Sequence, residues 1–376
     1  MKQISLIMSL IGVQSIDTDN LKCVSCEAFI DLVRPHVDAL QTPVVDVSIP
    51  ACIVENGESE CSPNSSEGPW ACKDLCIGMM NEESVQLVDL VNSFSSKKIC
   101  ENFANACGDA KPKKPVVGEP QIRSNLSDTK GERNDWDSWK NPTGTFVHIT
   151  DLHLQLDYVE NGNTDCGQPI CCRAEGGEGK EGHRAHPLGD WNCDLSPALF
   201  STMVNAITTL PERPDFILNT GDDPAHDVWN QNHQSNLKAI EYVSKELLSG
   251  VGSKIPVVNT LGNHEHAPVN QYKGPGGDAW LYENASKYWS PWLSDDARRT
   301  MSYGGYYATR VVPGLIAVVM HSTMFNSGTG GNWAFMTNRT DIGAQFPWLL
   351  DVLNQARERE EKVRSVRARS ARKFNN

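Results

Sequence analysis

The chain has 376 residues, 39% of them hydrophobic and 22% charged, and a formal net charge of −13. That composition supports a packed core, excludes wholesale disorder and argues against a broad nucleic-acid surface; the length suits about two domains. No apolar run reaches the roughly 18–20 residues of a bilayer-spanning helix.

Met1-Lys2-Gln3 leads into the mostly apolar run Ile4–Val13, and Val13-Gln14-Ser15 offers small residues for cleavage. This is the pattern of a secretory signal peptide over residues 1–15, with a buried N-terminal helix as the alternative. All twelve cysteines lie before residue 194. Their even number fits disulfides in an oxidising compartment better than zinc held by Cys23-x-x-Cys26 and Cys72-x3-Cys76. Acceptor sequons at Asn64, Asn125, Asn284 and Asn338 agree with secretion or a lysosomal location.

Residues 20–108 read as a small helical unit stapled by cysteines. Phe29, Ile30, Val33, Val37 and Leu40 recur at helical spacing, interrupted by Pro35, and Leu87, Val88, Leu90, Val91 and Phe94 make a second apolar face. A unit of this size needs cross-links to be stable. Residues 109–142, opening on Lys111-Pro112-Lys113-Lys114-Pro115, read as a proline-containing linker. From residue 143 to 363, short apolar strands at Phe146–Thr150, Phe216–Leu218, Val257–Val258 and Leu315–Val319 alternate with helical faces. One such face carries Leu199, Met203, Val204, Ile207 and Leu210, and another carries Leu237, Ile240, Val243 and Leu247. The fold class is therefore α/β, a layered domain preceded by the small all-α unit.

Each of the first three strands ends in metal-competent residues: Asp151-Leu152-His153, then Gly221-Asp222-Asp223-Pro224-Ala225-His226-Asp227, then Gly262-Asn263-His264-Glu265. In α/β sheets, functional groups gather at the carboxyl ends of strands, so the three clusters can converge. Mixed nitrogen and oxygen donors suit zinc, iron or manganese. Two such ions close together can stabilise the attacking and leaving oxygens of a phosphoester.

These three motifs in this order resemble the metallophosphoesterases. Gly221–Trp229, Asp165-Cys166 leading to Cys171-Cys172-Arg173, Gly262–Asn270, Trp280–Glu283 and Tyr303–Ala308 resemble the acid sphingomyelinase family more narrowly. The helical unit resembles a saposin B-type domain. That resemblance implies Cys23–Cys107 and Cys26–Cys100 disulfides; Cys52, Cys61, Cys72 and Cys76 can pair in three ways, Cys52–Cys76 with Cys61–Cys72 being preferred. It further implies Cys166–Cys171 and Cys172–Cys193. By motif, Asp151 and His153 would bind one zinc, Asp222 would bridge two, Asn263 would bind the second, and His226 and His264 would be catalytic. The implied reaction is hydrolysis of sphingomyelin, or another phospholipid at a membrane surface, to ceramide and phosphocholine by a monomer. A phosphodiesterase for other phosphodiesters and a non-catalytic lipid-binding secreted glycoprotein are the alternatives.

The remaining histidines read as structural or exposed: His148 in its strand, His183 and His186 in a glycine-rich loop, with His266 near the cleft. Trp280, Trp289 and Trp292 read as packing residues, a choline contact through cation–π attraction being the alternative. The family's later Gly-His-x-Pro-Pro-Gly-His and Gly-His-Thr-His motifs do not occur in these 376 residues, whose last histidine is His321. Six basic and no acidic residues stand from Lys362 to Asn376, so the rest of the chain carries −19. Residues 364–376 therefore read as a divergent basic tail, with an incomplete sheet, an incomplete metal shell and impaired activity as the expectations.

Overall fold

A computed structural model of the chain describes residues 19–36, 87–103, 120–126, 144–327, 331–338 and 340–368. The signal-peptide segment, Cys107 and the four middle cysteines of the helical unit lie outside the described residues. In the N-terminal unit, α1 spans Asp19–Val33 and gives way to a 3-10 turn over Arg34–His36, at Pro35 as the sequence requires. Residues 87–93 are helical, and a further turn at Ser96–Lys98 runs into Ile99–Phe103. Cys26 and Cys100 form a disulfide across this unit. Leu90, Val91 and Ile99 make its core with Ile30, Leu87, Val88 and Phe94, and Arg34 donates to the Phe94 carbonyl at 2.8 Å.

The larger domain is built from β1 (Phe146–Ile149), α2 (Pro197–Thr208), β2 (Phe216–Asn219), α3 (His233–Val251), β3 (Val257–Asn259), α4 (Ala279–Tyr288), α5 (Asp295–Gly304), β4 (Tyr307–Val312), β5 (Leu315–Met320), α6 (Trp333–Asn338), α7 (Gln345–Glu358) and β6 (Lys362–Arg367). Local chemistry sets several boundaries. Ser196 caps α2 by accepting from Leu199 N–H at 3.1 Å, with Pro197 at the first helical position. Asn232 and Ser235 close a capping box at the start of α3, and Gly252 ends that helix with φ 74°.

The strands form two three-stranded sheets, β1-β2-β3 wholly parallel and β4-β5-β6 mixed. The parallel arrangement points the carboxyl ends of β1, β2 and β3 the same way. Period-two alternation in β5 divides its side chains between two cores: Ala317 and Val319 join a large core with Ile217, Leu218, Val257 and Val258 of the first sheet, while Ile316, Val318 and Met320 pack with Trp348 and Val352 of α7. Tyr307 Oη joins the sheets directly, donating to the Asn259 carbonyl at 2.8 Å. β1 is an edge strand with Phe146 exposed, not the buried strand the apolar run suggested.

Two stretches that the sequence left outside the fold are part of it. β6 pairs with β5 in parallel from Lys362 through Arg367, so the boundary drawn at Val363 falls inside a strand. The ladder uses backbone groups and tolerates the charges: Lys362, Arg364 and Arg367 face solvent while Val366 and Ala368 are buried. The edge of β5 is thereby paired rather than bare. Residues 120–126, inside the stretch read as a linker, lie along α7. Trp348 Nε1 donates to Ser124 Oγ at 2.8 Å, Gln355 Nε2 donates to the Ser124 carbonyl at 2.7 Å, and Leu126 is buried in the second core.

The N-terminal unit meets the larger domain at α6, where Trp333 and Met336 complete its apolar cluster. Lys273 pairs with Asp89 beside it. Among the described residues of the unit, Leu90, Val91 and Ile99 are taken up by its own core and this contact, while Leu32 is exposed. No described helix is long and apolar enough to cross a membrane.

Candidate active site

The three sequence clusters meet at the carboxyl ends of β1, β2 and β3. Backbone bonds lock the first loop onto the second: Asp151 N–H donates to the Gly221 carbonyl at 2.9 Å, His153 N–H to Asp222 at 2.9 Å and Leu154 N–H to Asp223 at 2.7 Å. The second and third loops touch so closely that side chains are excluded between them. A Cβ on Gly221, whose φ is +89°, would fall 2.4 Å from Gly262 N, and a Cβ on Gly262 would fall 2.2 Å from Asp222 Oδ1. Asp151, His153 and Asp222 all adopt positive φ (52°, 45° and 61°), a conformation that costs non-glycine residues energy and is kept where the surroundings enforce it.

This geometry brings donor atoms of Asp151, His153 and Asp222 within 4.8 Å of one another, and does the same for His153, His226 and His264. His153 Nδ1 faces the Pro224 carbonyl at 3.0 Å, so it carries the proton and Nε2 presents its lone pair. Burial, then the neighbouring His226 and His264, pull the His153 imidazole down to about 4, so it is neutral as a ligand must be. Burial pushes the Asp222 carboxyl above its ordinary value, with Asp151 adding like-charge repulsion. Asp222 also accepts N–H from Asn263 and, at 2.9 Å, from His264. A buried carboxylate facing a second carboxylate beside a free imidazole lone pair is a donor set that fits a divalent cation.

The two further histidines stand next to this set. His226 stacks on His153 with ring centres 3.5 Å apart, and His264 meets both edge-on at 4.7 and 5.1 Å. Asp194 grips His226 twice, accepting from its backbone N–H at 2.6 Å and from Nδ1 at 2.8 Å. Burial lowers the proton affinity of His226, but the Asp194 hydrogen bond and charge outweigh it and hold the imidazole above its ordinary value. Burial and the His226 charge take His264 down to about 4, and its Nδ1 is buried with no hydrogen-bond partner among the described residues. The arrangement thus places an imidazole whose proton affinity is raised beside one whose proton affinity is lowered.

Several functional residues were not legible as such in the sequence. Asp194 follows Cys193 in the disulfide loop, 32 residues before His226, and only the flanking cysteine marked the region. Glu265 was visible only as a member of its cluster. It is fully buried and clamps two loops, accepting from Asp223 N–H at 2.8 Å and Gly262 N–H at 2.6 Å. Arg173, also buried, bridges Asp157 and Asp227 at 2.9 Å each, tying the loop of Cys166–Cys171 and Cys172–Cys193 to the Asp222 loop.

His183 and His186 are exposed, as expected, and His148 bonds Thr220 Oγ1 at 3.0 Å. His266 is not at the cleft. It is buried and bonds Asp278 at 3.1 Å and the Pro268 carbonyl at 2.9 Å. Trp289 and Trp292 are core residues.

Residues 144–362 match the calcineurin-like phosphoesterase family. Sphingomyelin phosphodiesterase B of Dictyostelium discoideum is 34% identical over 224 residues, covering 59% of this chain and 35% of that protein. Human sphingomyelin phosphodiesterase is 35% identical over 231 residues, again 59% and 35%. Sphingomyelin phosphodiesterase 2 of Caenorhabditis elegans is 26% identical over 385 residues, 92% of this chain and 58% of that protein. The chain therefore spans between about a third and three fifths of the length of these relatives.

Proposed function

Because the chain belongs to the calcineurin-like phosphoesterases, we propose that it is a metal-dependent phosphodiesterase acting on sphingomyelin, with ceramide and phosphocholine as products. The observation that carries this reading is the convergence of Asp151, His153 and Asp222 beside His226 and His264. The relatives named above, each called a sphingomyelin phosphodiesterase, support the substrate.

Zinc is the proposed cation, two per site, with Asp151 and His153 on one, Asp222 between them and Asn263 on the second. Bound there, the cations would supply Lewis acidity at the phosphoryl oxygens and an acidified water as nucleophile. The chain's own residues supply the rest. His226, whose proton affinity Asp194 raises, delivers the Nε2 proton to the departing alkoxide, a poor leaving group that needs one. His264 is the second catalytic imidazole, its ring anchored on the Ala225 backbone and packed edge-on against His226. Arg173 and Glu265 hold the loops in register.

The helical unit acts in this proposal as a saposin-type lipid-engaging module, on a monomeric glycoprotein that is secreted or lysosomal. The test is phosphocholine release from sphingomyelin vesicles by the purified chain in added zinc, beside a nucleotide phosphodiester. Release from sphingomyelin in preference supports the proposal. Preference for the nucleotide substitutes the substrate, and vesicle binding with no hydrolysis of either makes the chain a lipid-binding protein instead.

A further inference from the structure

We infer that the exposed loop segment from Leu188 to Trp191 is a membrane-docking element that seats the site on a neutral, zwitterionic lipid surface; this rests on the lipid-substrate reading above. Trp191 is 101% exposed and Leu188 50%. They are not scattered. Of the ten large hydrophobic side chains exposed among the described residues, five lie between residues 156 and 199: Leu156, Val159, Leu188, Trp191 and Leu199. Leu188 lies in a turn closed by the His186–Gly189 bridge, and Trp191 follows two residues after that bridge. A Cβ on Gly189 would sit 4.0 Å from Leu199 Cδ2. Tyr158 Oη donates to the His186 carbonyl at 2.5 Å, which brings the Leu156–Val159 segment alongside. An exposed apolar cluster of this kind marks an interaction surface.

The segment is held, not loose. Cys193, two residues beyond Trp191, is bonded to Cys172, and Asn192 is fixed from both ends: its carbonyl accepts from Cys171 N–H at 2.8 Å, and its Nδ2 donates to the Thr164 carbonyl at 2.9 Å. The same segment reaches the site. Asp194 holds His226, and Leu195 exchanges backbone bonds with His153 and Gln155 at 3.1 and 2.9 Å. Trp191 is thus three residues from the carboxylate that holds the half-exposed His226.

Charge decides the kind of surface. Residues 185–199 contain no lysine or arginine, Asp190 adjoins Trp191, and the whole chain carries −13. Attraction to anionic headgroups cannot be the source of binding. A rigid indole with an apolar body and one N–H suits the headgroup boundary of a neutral bilayer.

The experiment measures flotation of the full chain with phosphatidylcholine–sphingomyelin vesicles, with chelator present so that no turnover occurs. Trp191→Ala is expected to weaken binding about tenfold and Leu188→Ala/Trp191→Ala further, while Trp191→Phe keeps most of it. Raised salt should leave wild-type binding unchanged. Turnover of a water-soluble p-nitrophenyl phosphodiester should be the same in wild type and Trp191→Ala, which also shows that the variant is folded. Binding by Trp191→Ala equal to wild type, absence of wild-type binding to neutral vesicles, or binding abolished by salt would each overturn the inference. Vesicle binding through Trp191 without sphingomyelin hydrolysis would instead retire the substrate reading and leave the surface standing.

Discussion

Replacing Asp194 by asparagine would test the division of labour between the two imidazoles. The carboxylate accepts from His226 Nδ1–H at 2.8 Å and from its backbone N–H at 2.6 Å, and it is itself largely buried. Asparagine can keep one of those bonds but removes the charge that raises the His226 proton affinity and lets the ring change tautomer. General acid catalysis supplies roughly 10²–10⁴ in rate, and loss of a histidine-orienting carboxylate costs toward the upper end of that range at a buried dyad. His226 is partly exposed, so water can reorient and recharge it, and the expected loss in kcat on sphingomyelin is about 10²–10³. A p-nitrophenolate leaves without a proton, so the loss on a p-nitrophenyl phosphodiester should stay under about tenfold. The pH profile gives the sign. Asp194 holds the His226 pKa above its ordinary value, so in the wild type the acid form persists to higher pH and kcat falls only as pH rises through that raised value. In the variant this alkaline limb moves to lower pH. Steady-state kinetics on both substrates, at saturating zinc, measure all three quantities. Equal losses on the two substrates, or an unmoved alkaline limb, would refute His226 as the acid.

Two further outcomes follow from the buried groups. Glu265→Ala leaves the Asp223 and Gly262 N–H groups buried without an acceptor, at about 1–3 kcal/mol each, so urea unfolding should show a loss of about 2–6 kcal/mol; a loss below about 1 kcal/mol would show that the loops do not depend on this clamp. His321 is fully buried, and burial takes its imidazole down to about 3 from 6.5. As the pH falls from 6.5 toward 3 the unfolded chain takes up a proton that the native state refuses, so this group's stabilisation is complete above 6.5 and is lost on acidification, by up to a few kcal/mol. His321→Asn should therefore have a shallower acid limb in stability measured from pH 7 to pH 4. Parallel limbs would contradict this.

What could be read from the sequence follows from how local each cause is. β2, β3 and β5 are apolar runs with side chains buried on both faces, and the polar clusters follow strands within a few residues, so the convergence of Asp151, His153 and Asp222 was legible from strand order. Asp194 and Glu265 act by contacts across loops, and no local period marks them. β6 was hidden because parallel pairing needs only backbone groups, and Val366 is its one buried position amid the charges. The strap at 120–126 was hidden because its worth lies in Leu126 and in bonds to α7, over 200 residues away.

The central claim is that Asp151, His153 and Asp222 form a cation site that drives phosphodiester hydrolysis. Zinc binding and phosphocholine release from sphingomyelin, measured on the same sample of wild type and Asp222→Asn, test it most directly. The account gives release that depends on added zinc, with both binding and release lost in Asp222→Asn. Release that survives chelation, or zinc bound as tightly by Asp222→Asn as by the wild type, would contradict it.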